Sequence, residues 1–129
     1  MFTLQQIKNA HSKVKSGADF PAYIQELKQL GVVAYDTYVS DGHSNYYGQN
    51  NFNVTSEAKH EALAIADDTE ENQFKNDLKA HQEGKTDYHT FCSDCAKSGI
   101  EKWTVNLNTM LCTYYDKTAT KIVEEQIPG

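Results

Sequence analysis

Positive charge is scarce in this chain. Lysine and arginine together number 12 against 18 aspartates and glutamates, giving a net charge of −6 and a pI near 5.2. A surface of that sign repels a phosphate backbone, so the composition speaks against general nucleic-acid binding. Long apolar runs are also missing, and no segment is expected to cross a membrane. The opening stretch MFTLQQIKNAHSKVKSG is polar and patterned as a helix, without the apolar core of a signal peptide, which makes the cytoplasm the expected location. Cysteine is sparse and odd in number, three in all, which argues against a disulfide framework. In a reducing compartment such thiols stay free unless they hold metal or do chemistry, and the sequon Asn53-Val54-Thr55 is silent. A Gly-rich phosphate loop, a G-x-S-x-G elbow and an H-E-x-x-H helix are all absent.

What is present fits one globular domain, residues 1–129. Apolar residues make up 39% and charged residues 23%, and a chain of this length buries roughly two thirds of the surface it exposes when unfolded. Thr3 with Gln6 has the spacing of a capping box, and Phe2 with Ile7 that of a hydrophobic staple, so a helix is predicted over 4–15 with a stop at Gly17. Asp19 is expected to cap a second helix, with Pro21 in its first turn, Tyr23, Ile24, Leu27 and Leu30 on its apolar stripe, and Gly31 as its stop. From Val32 to Val39 the period changes to two and a strand follows. Turn residues at Asp41-Gly42 and Gly48 to Asn51 then divide two short strands, giving a meander. Alanine-rich 57–67 reads as a linker helix. Thr69 or Asp68 is expected to cap a helix ending at Gly84, and Asp87 a helix ending at Gly99. The segments 100–107, MLCTYYDK and TKIVEEQI complete the pattern as strands.

The two halves resemble each other. A shift of 68 places Asp19 on Asp87, Tyr23 on Phe91, Gly31 on Gly99, Tyr35 on Trp103, Tyr46-Tyr47 on Tyr114-Tyr115 and Val54 on Ile122 without a gap, and a shift of 67 aligns the first helices. Runs of helices followed by runs of strands, twice over, predict an α+β fold built by internal duplication of an ααβββ unit. The pseudo-repeat halves are about 2–56 and 69–127, with antiparallel sheet and helices packed on one side.

That repeat bears on the most conspicuous motif, DYHTFCSDCAKSG. Under it Cys92 takes the place of Ile24 and Cys95 that of Leu27, both on a buried stripe, where a free cysteine behaves as a small hydrophobe. A redox C-x-x-C wants its first cysteine at the helix N-terminus, and a structural zinc wants four ligands, for which only Cys112 with His89 or His81 could join. Core cysteine is therefore favoured over zinc, and zinc over redox. In the loop SDGHSNYYG, Asp41 and His43 could form an acid–base pair and Tyr46 could donate to a developing charge, although Asp-Gly is first a turn signal. The strand tyrosines are informative as a group. Neighbours on a strand face opposite ways, so one of each adjacent pair looks outward, and Tyr38, Tyr47, Tyr114 and Tyr115 are the binding candidates.

Several stretches together, SGADFPAYIQELKQLGV at 16–32, SDGHSNYYG at 40–48, FCSDCAKSGIEKW at 91–103 and CTYYDK at 112–117, resemble the YdfO-like proteins. These are a bacterial and prophage group of about this length, described as a domain of unknown function and sometimes labelled phage envelope protein. The resemblance covers nearly the whole chain. It implies a compact α+β domain and carries no catalytic residues across. The expected function is a non-enzymatic cytoplasmic binding or accessory protein, prophage-derived, acting through an aromatic surface on a protein partner or on a second copy as a homodimer, with no cofactor. Two alternatives stand beside it: a small enzyme or ligand-binding protein using Asp41, His43 and Tyr46, and a zinc protein using Cys92, Cys95 and Cys112.

Overall fold

Local chemistry sets most of the element boundaries. In the computed structural model, which describes residues 2–15 and 19–127, the Thr3 Oγ1 accepts from the Gln6 N–H at 3.2 Å while the Gln6 side chain accepts from the Thr3 N–H at 2.9 Å. This reciprocal cap opens α1 (Leu4–His11). The helix is shorter than the residues predict: past His11 the backbone tightens, the Lys13 N–H donating to Ala10 at 3.3 Å and the Val14 N–H to His11 at 3.0 Å. The expected stop at Gly17 lies outside the described residues. In α2 (Phe20–Leu30) the start differs from expectation: the Asp19 side chain makes no cap bond to the helix and accepts instead from the Lys15 N–H at 2.9 Å. Pro21 in the first turn and left-handed Gly31 at the end stand where the residues place them. Strands β1 (Ala34–Tyr38), β2 (Ser44–Tyr47) and β3 (Asn53–Thr55) follow.

The second half repeats this order. It runs α3 (Glu71–Gln82), α4 (Tyr88–Lys97), β4 (Ile100–Asn106), β5 (Leu111–Asp116) and β6 (Lys121–Gln126). Glu70 is the cap residue of α3, in place of Thr69 or Asp68, and makes no side-chain cap bond. Asp87 caps α4 as its position suggests, accepting from the Thr90 N–H at 2.7 Å.

All six strands form one antiparallel sheet in the order β3-β2-β1-β4-β5-β6, so each half is a meander and the two meet through their first strands. Tyr35 faces Tyr46 across β1 and β2, and Trp103 faces Tyr114 across β4 and β5; 103 − 35 and 114 − 46 both give 68. Asp36 faces Thr104 at the central ladder, again 68 apart. Burial alternates along the strands, and the helices pack on one face of the sheet, where Ile24, Leu27, Phe74, Ile100 and Val105 fill the core.

The helix expected over 57–67 does not form. The segment runs as an irregular strap whose N–H groups bond elsewhere in the fold: Lys59 to the Asp41 carbonyl at 2.7 Å, Leu63 to Ser40 at 2.7 Å and Ala66 to Ala96 at 2.9 Å. Those tertiary partners satisfy the backbone donors that a helix would have satisfied within itself, and the narrow apolar face offers little to outweigh them. Gly99 lets the strap come close. Its φ is +82°, and a Cβ there would lie 2.6 Å from the Asp68 carbonyl oxygen.

Candidate functional site

Residues directly opposite each other in an antiparallel ladder share a face, so the register lays out the inner surface in two rows. One row runs Tyr46, Tyr35, Val105, Cys112, Glu125; the other runs Ser44, Thr37, Trp103, Tyr114, Val123. Above this floor the helical stripes bring His11 and Tyr23 from one helix pair and Leu78, His81, Tyr88 and Phe91 from the other. Between the pairs lies a cleft of about 720 Å³ lined by these side chains.

Its walls are aromatic. Tyr35 and Tyr46 lie 5.3 Å apart between ring centroids, Trp103 and Tyr114 6.0 Å, and Phe91 and Trp103 5.7 Å. His11 meets Tyr23 edge-on at 5.3 Å, while His81 stacks on Phe91 at 4.3 Å and 10°. The His81 Nδ1 sits 3.1 Å from the Thr86 carbonyl oxygen and 3.2 Å from the Thr86 hydroxyl.

Burial decides the charge state of this lining. It lowers the pKa of His11, with help from the Lys59 charge, and that of His81, outweighing the Thr86 bond and the charges of Asp87 and Asp94. It raises the phenols of Tyr23, Tyr35, Tyr46, Tyr88 and Tyr114, which stay neutral donors. The two carboxylates at the rim are already engaged: Glu125 accepts from the Gln82 amide at 2.7 Å, and Asp87 caps α4.

Of the candidates read from the residues, Asp41 and His43 do pair, Nδ1 to Oδ1 at 2.5 Å. Burial works to raise the Asp41 carboxyl, but the hydrogen bonds from the His43 backbone and ring outweigh it and hold the pKa below the usual value. Tyr46 does not join them: it points into the cleft, which Asp41 and His43 do not line. The pair belongs to the turn that anchors the strap, with the His43 ring stacked on Tyr38 at 4.6 Å and 6°. Cys92 and Cys95 are fully buried, as are Ile24 and Leu27, the residues 68 positions earlier. Cys112 lies on the inner face of β5, the helix side of the sheet, and is likewise buried. Burial pushes the Cys92 thiol up to about 11 and Cys112 to about 12, and Cys95 well above its ordinary value, so none is a ready thiolate. Among the described residues no group of three or more His, Cys, Asp or Glu side chains is arranged to hold a metal ion.

Each adjacent pair sends one tyrosine outward, so that of the four binding candidates Tyr38, Tyr47 and Tyr115 face away from the helices. Tyr38, Lys102, Tyr115 and Lys121 form one row on the helix-free face, with the Lys102 ammonium 5.8 Å from the Tyr38 ring and 5.5 Å from the Tyr115 ring. Tyr47 also faces that side and donates to Asp36 at 3.0 Å. Tyr114 is different, lying inward against Phe74 and Trp103. Sequence reasoning missed the cleft itself. The available signal was that Tyr23 with Phe91 and Tyr35 with Trp103 are aromatic at matching places in both halves, each on the buried side of its element. No curated protein matches the chain. The model of the family described as Protein of unknown function (DUF1398) matches residues 8–126, and the chain belongs to that family.

Proposed function

We propose that this is a non-enzymatic binding protein of the cytoplasm that takes a small, largely apolar molecule into the cleft between its helix pairs. The observation that carries the reading is the cleft itself: about 720 Å³, within the range of small-molecule sites, with aromatic walls and a few hydroxyls as its polar groups. The groups that could react argue for binding over catalysis, since the thiols are held protonated and Asp41 with His43 stands outside the cleft. The shared offset of 68 in both hairpins supports descent from a duplicated ααβββ unit, on which the halves build one joint cleft. Within the wider family, the quoted stretches favour the YdfO-like, prophage-derived group. Trp103, the only tryptophan, lines the cleft and reports on it. A panel of naphthalene-type probes should change its emission and raise the melting temperature, and a Val14→Trp variant that fills the cleft mouth should lose the thermal response. A wild-type protein indifferent to every probe would sink the proposal. A second reading, self-association through the helix-free face, draws on charges of both signs there, Asp36 and Glu124 with Lys102 and Lys121, which let that face complement a second copy.

A further inference from the structure

The cleft has a polar end. Lys59 reaches in from the strap, its ammonium 6.0 Å from the Tyr88 ring centroid, and it makes no ion pair among the described residues. His11 and Tyr88 line the cleft together with it. Desolvation holds its pKa below the usual lysine value, with the Lys8 charge adding to the effect and Cys92 opposing it. Neither rim acid forms an ion pair with it: Glu125 accepts from the Gln82 amide and Asp87 from the Thr90 N–H. Tyr88, for its part, keeps its phenol protonated through burial and so offers an O–H donor to an acceptor placed beside Lys59. Next to Tyr88, whose ring centroid is 6.3 Å from that of Trp103, the rings of Trp103, Phe91 and Tyr114 present faces and edges.

An ammonium at the exposed edge of an aromatic cleft, with no ion pair among the described residues and a neutral phenol beside it, is complementary to a molecule that carries an aromatic ring and one anionic group. We infer that the occupant of the cleft is a small planar aromatic monocarboxylate, its carboxylate on Lys59 and the Tyr88 hydroxyl and its ring over the floor made by Tyr35, Tyr46, Trp103 and Tyr114. The inference rests on the cleft reading above and adds its ligand class. The net charge of −6 does not oppose it at this range, because physiological salt screens charges beyond roughly 8 Å while the local ammonium acts at contact.

The test compares 2-naphthoate with 2-naphthamide, which has the same ring and no charge, by titration calorimetry and Trp103 emission. Wild-type protein should bind the acid at least about tenfold more tightly than the amide, the factor expected of one charge-assisted contact. Lys59→Met, which keeps the apolar stem, should remove most of that margin, and Tyr88→Phe, which keeps the ring, should weaken the acid several-fold; circular dichroism and melting verify that both variants fold. Equal binding of acid and amide by the wild type, or a margin that survives Lys59→Met, overturns the carboxylate assignment and leaves the cleft as a site for neutral molecules. Failure of both probes to bind overturns the assignment and the cleft reading together.

Discussion

Tyr46 and Tyr47 are bonded neighbours in β2, and Tyr114 and Tyr115 are neighbours in β5, yet each pair divides between two different environments. Tyr46 and Tyr114 stand on the inner face, 4% and 7% exposed, with phenols that burial keeps protonated. Tyr47 and Tyr115 stand on the face without helices, where polar groups answer one another across the strands: Thr55 to Asn45 at 2.8 Å, Thr104 to Asp36 at 2.5 Å, Thr113 to Glu124 at 2.9 Å. A period of two is the whole cause. The same residue type becomes cleft wall or solvated rim according to which side of the pleat it occupies.

The largest effect that would break this contrast is a truncation on each side. Tyr114→Ala should cost about 3–5 kcal/mol, the usual loss for a buried aromatic, whereas Tyr115→Ala should cost about 1 kcal/mol or less. Urea unfolding of the two variants checks it, and similar losses would mean that the faces are not distinct. Cys92→Ser should cost about 1–3 kcal/mol, because it puts a hydroxyl into a core position that the thiol fills as a hydrophobe. Equal urea midpoints for Cys92→Ser and wild type would count against that burial.

Acid should separate the faces as well. His11 and His81 have pKa values lowered from 6.5 by burial, so the unfolded chain takes up their protons first. Their contribution to stability is complete above 6.5 and is lost as pH falls from there through the lower folded values. The inner phenols act at the opposite limit: raised from 10, they contribute fully below pH 10 and lose that contribution as pH rises above it. Urea midpoints should therefore fall between pH 7.5 and 5.5, a window above the range of ordinary carboxylates, and His81→Phe, which keeps a ring on Phe91, should flatten the fall. A midpoint constant over that window would mean that the imidazoles are already solvated.

Much of this was legible in the sequence because it is local. The capping box at Thr3, the Asp87 cap, the glycine ends of α2 and α4, and the period of two in the strands each depend on a few adjacent residues, and all appear in the fold. The placing of Cys92 and Cys95 on a buried stripe followed from their alignment with Ile24 and Leu27. Some caps failed locally, Asp19 turning to the Lys15 N–H and Glu70 standing where Thr69 or Asp68 was expected, but the larger failures were decided at long range. The strap over 57–67 has helical composition, but the carbonyls of Ser40, Asp41 and Ala96 took its donors. Tyr46 was grouped with Asp41 and His43 by nearness in the chain, although the pleat turns it away from them. The cleft needed the pairing of β1 with β4, which no local pattern announces, to bring Tyr35 and Trp103 to one floor.

The smallest effect concerns the row Tyr38, Lys102, Tyr115. Lys102 lies between two rings on a solvated face, so Lys102→Ala should cost less than about 1 kcal/mol in the free chain, the ordinary size of an exposed cation–π contact. If a second copy covers that face, the same lysine is desolvated in the dimer, and its removal weakens association far more than folding. Sedimentation equilibrium of wild type and Lys102→Ala measures the two effects apart. A wild-type chain that stays monomeric at high micromolar concentration ends the self-association reading and leaves the outer face as the solvated back of a sheet whose inner side forms the cleft.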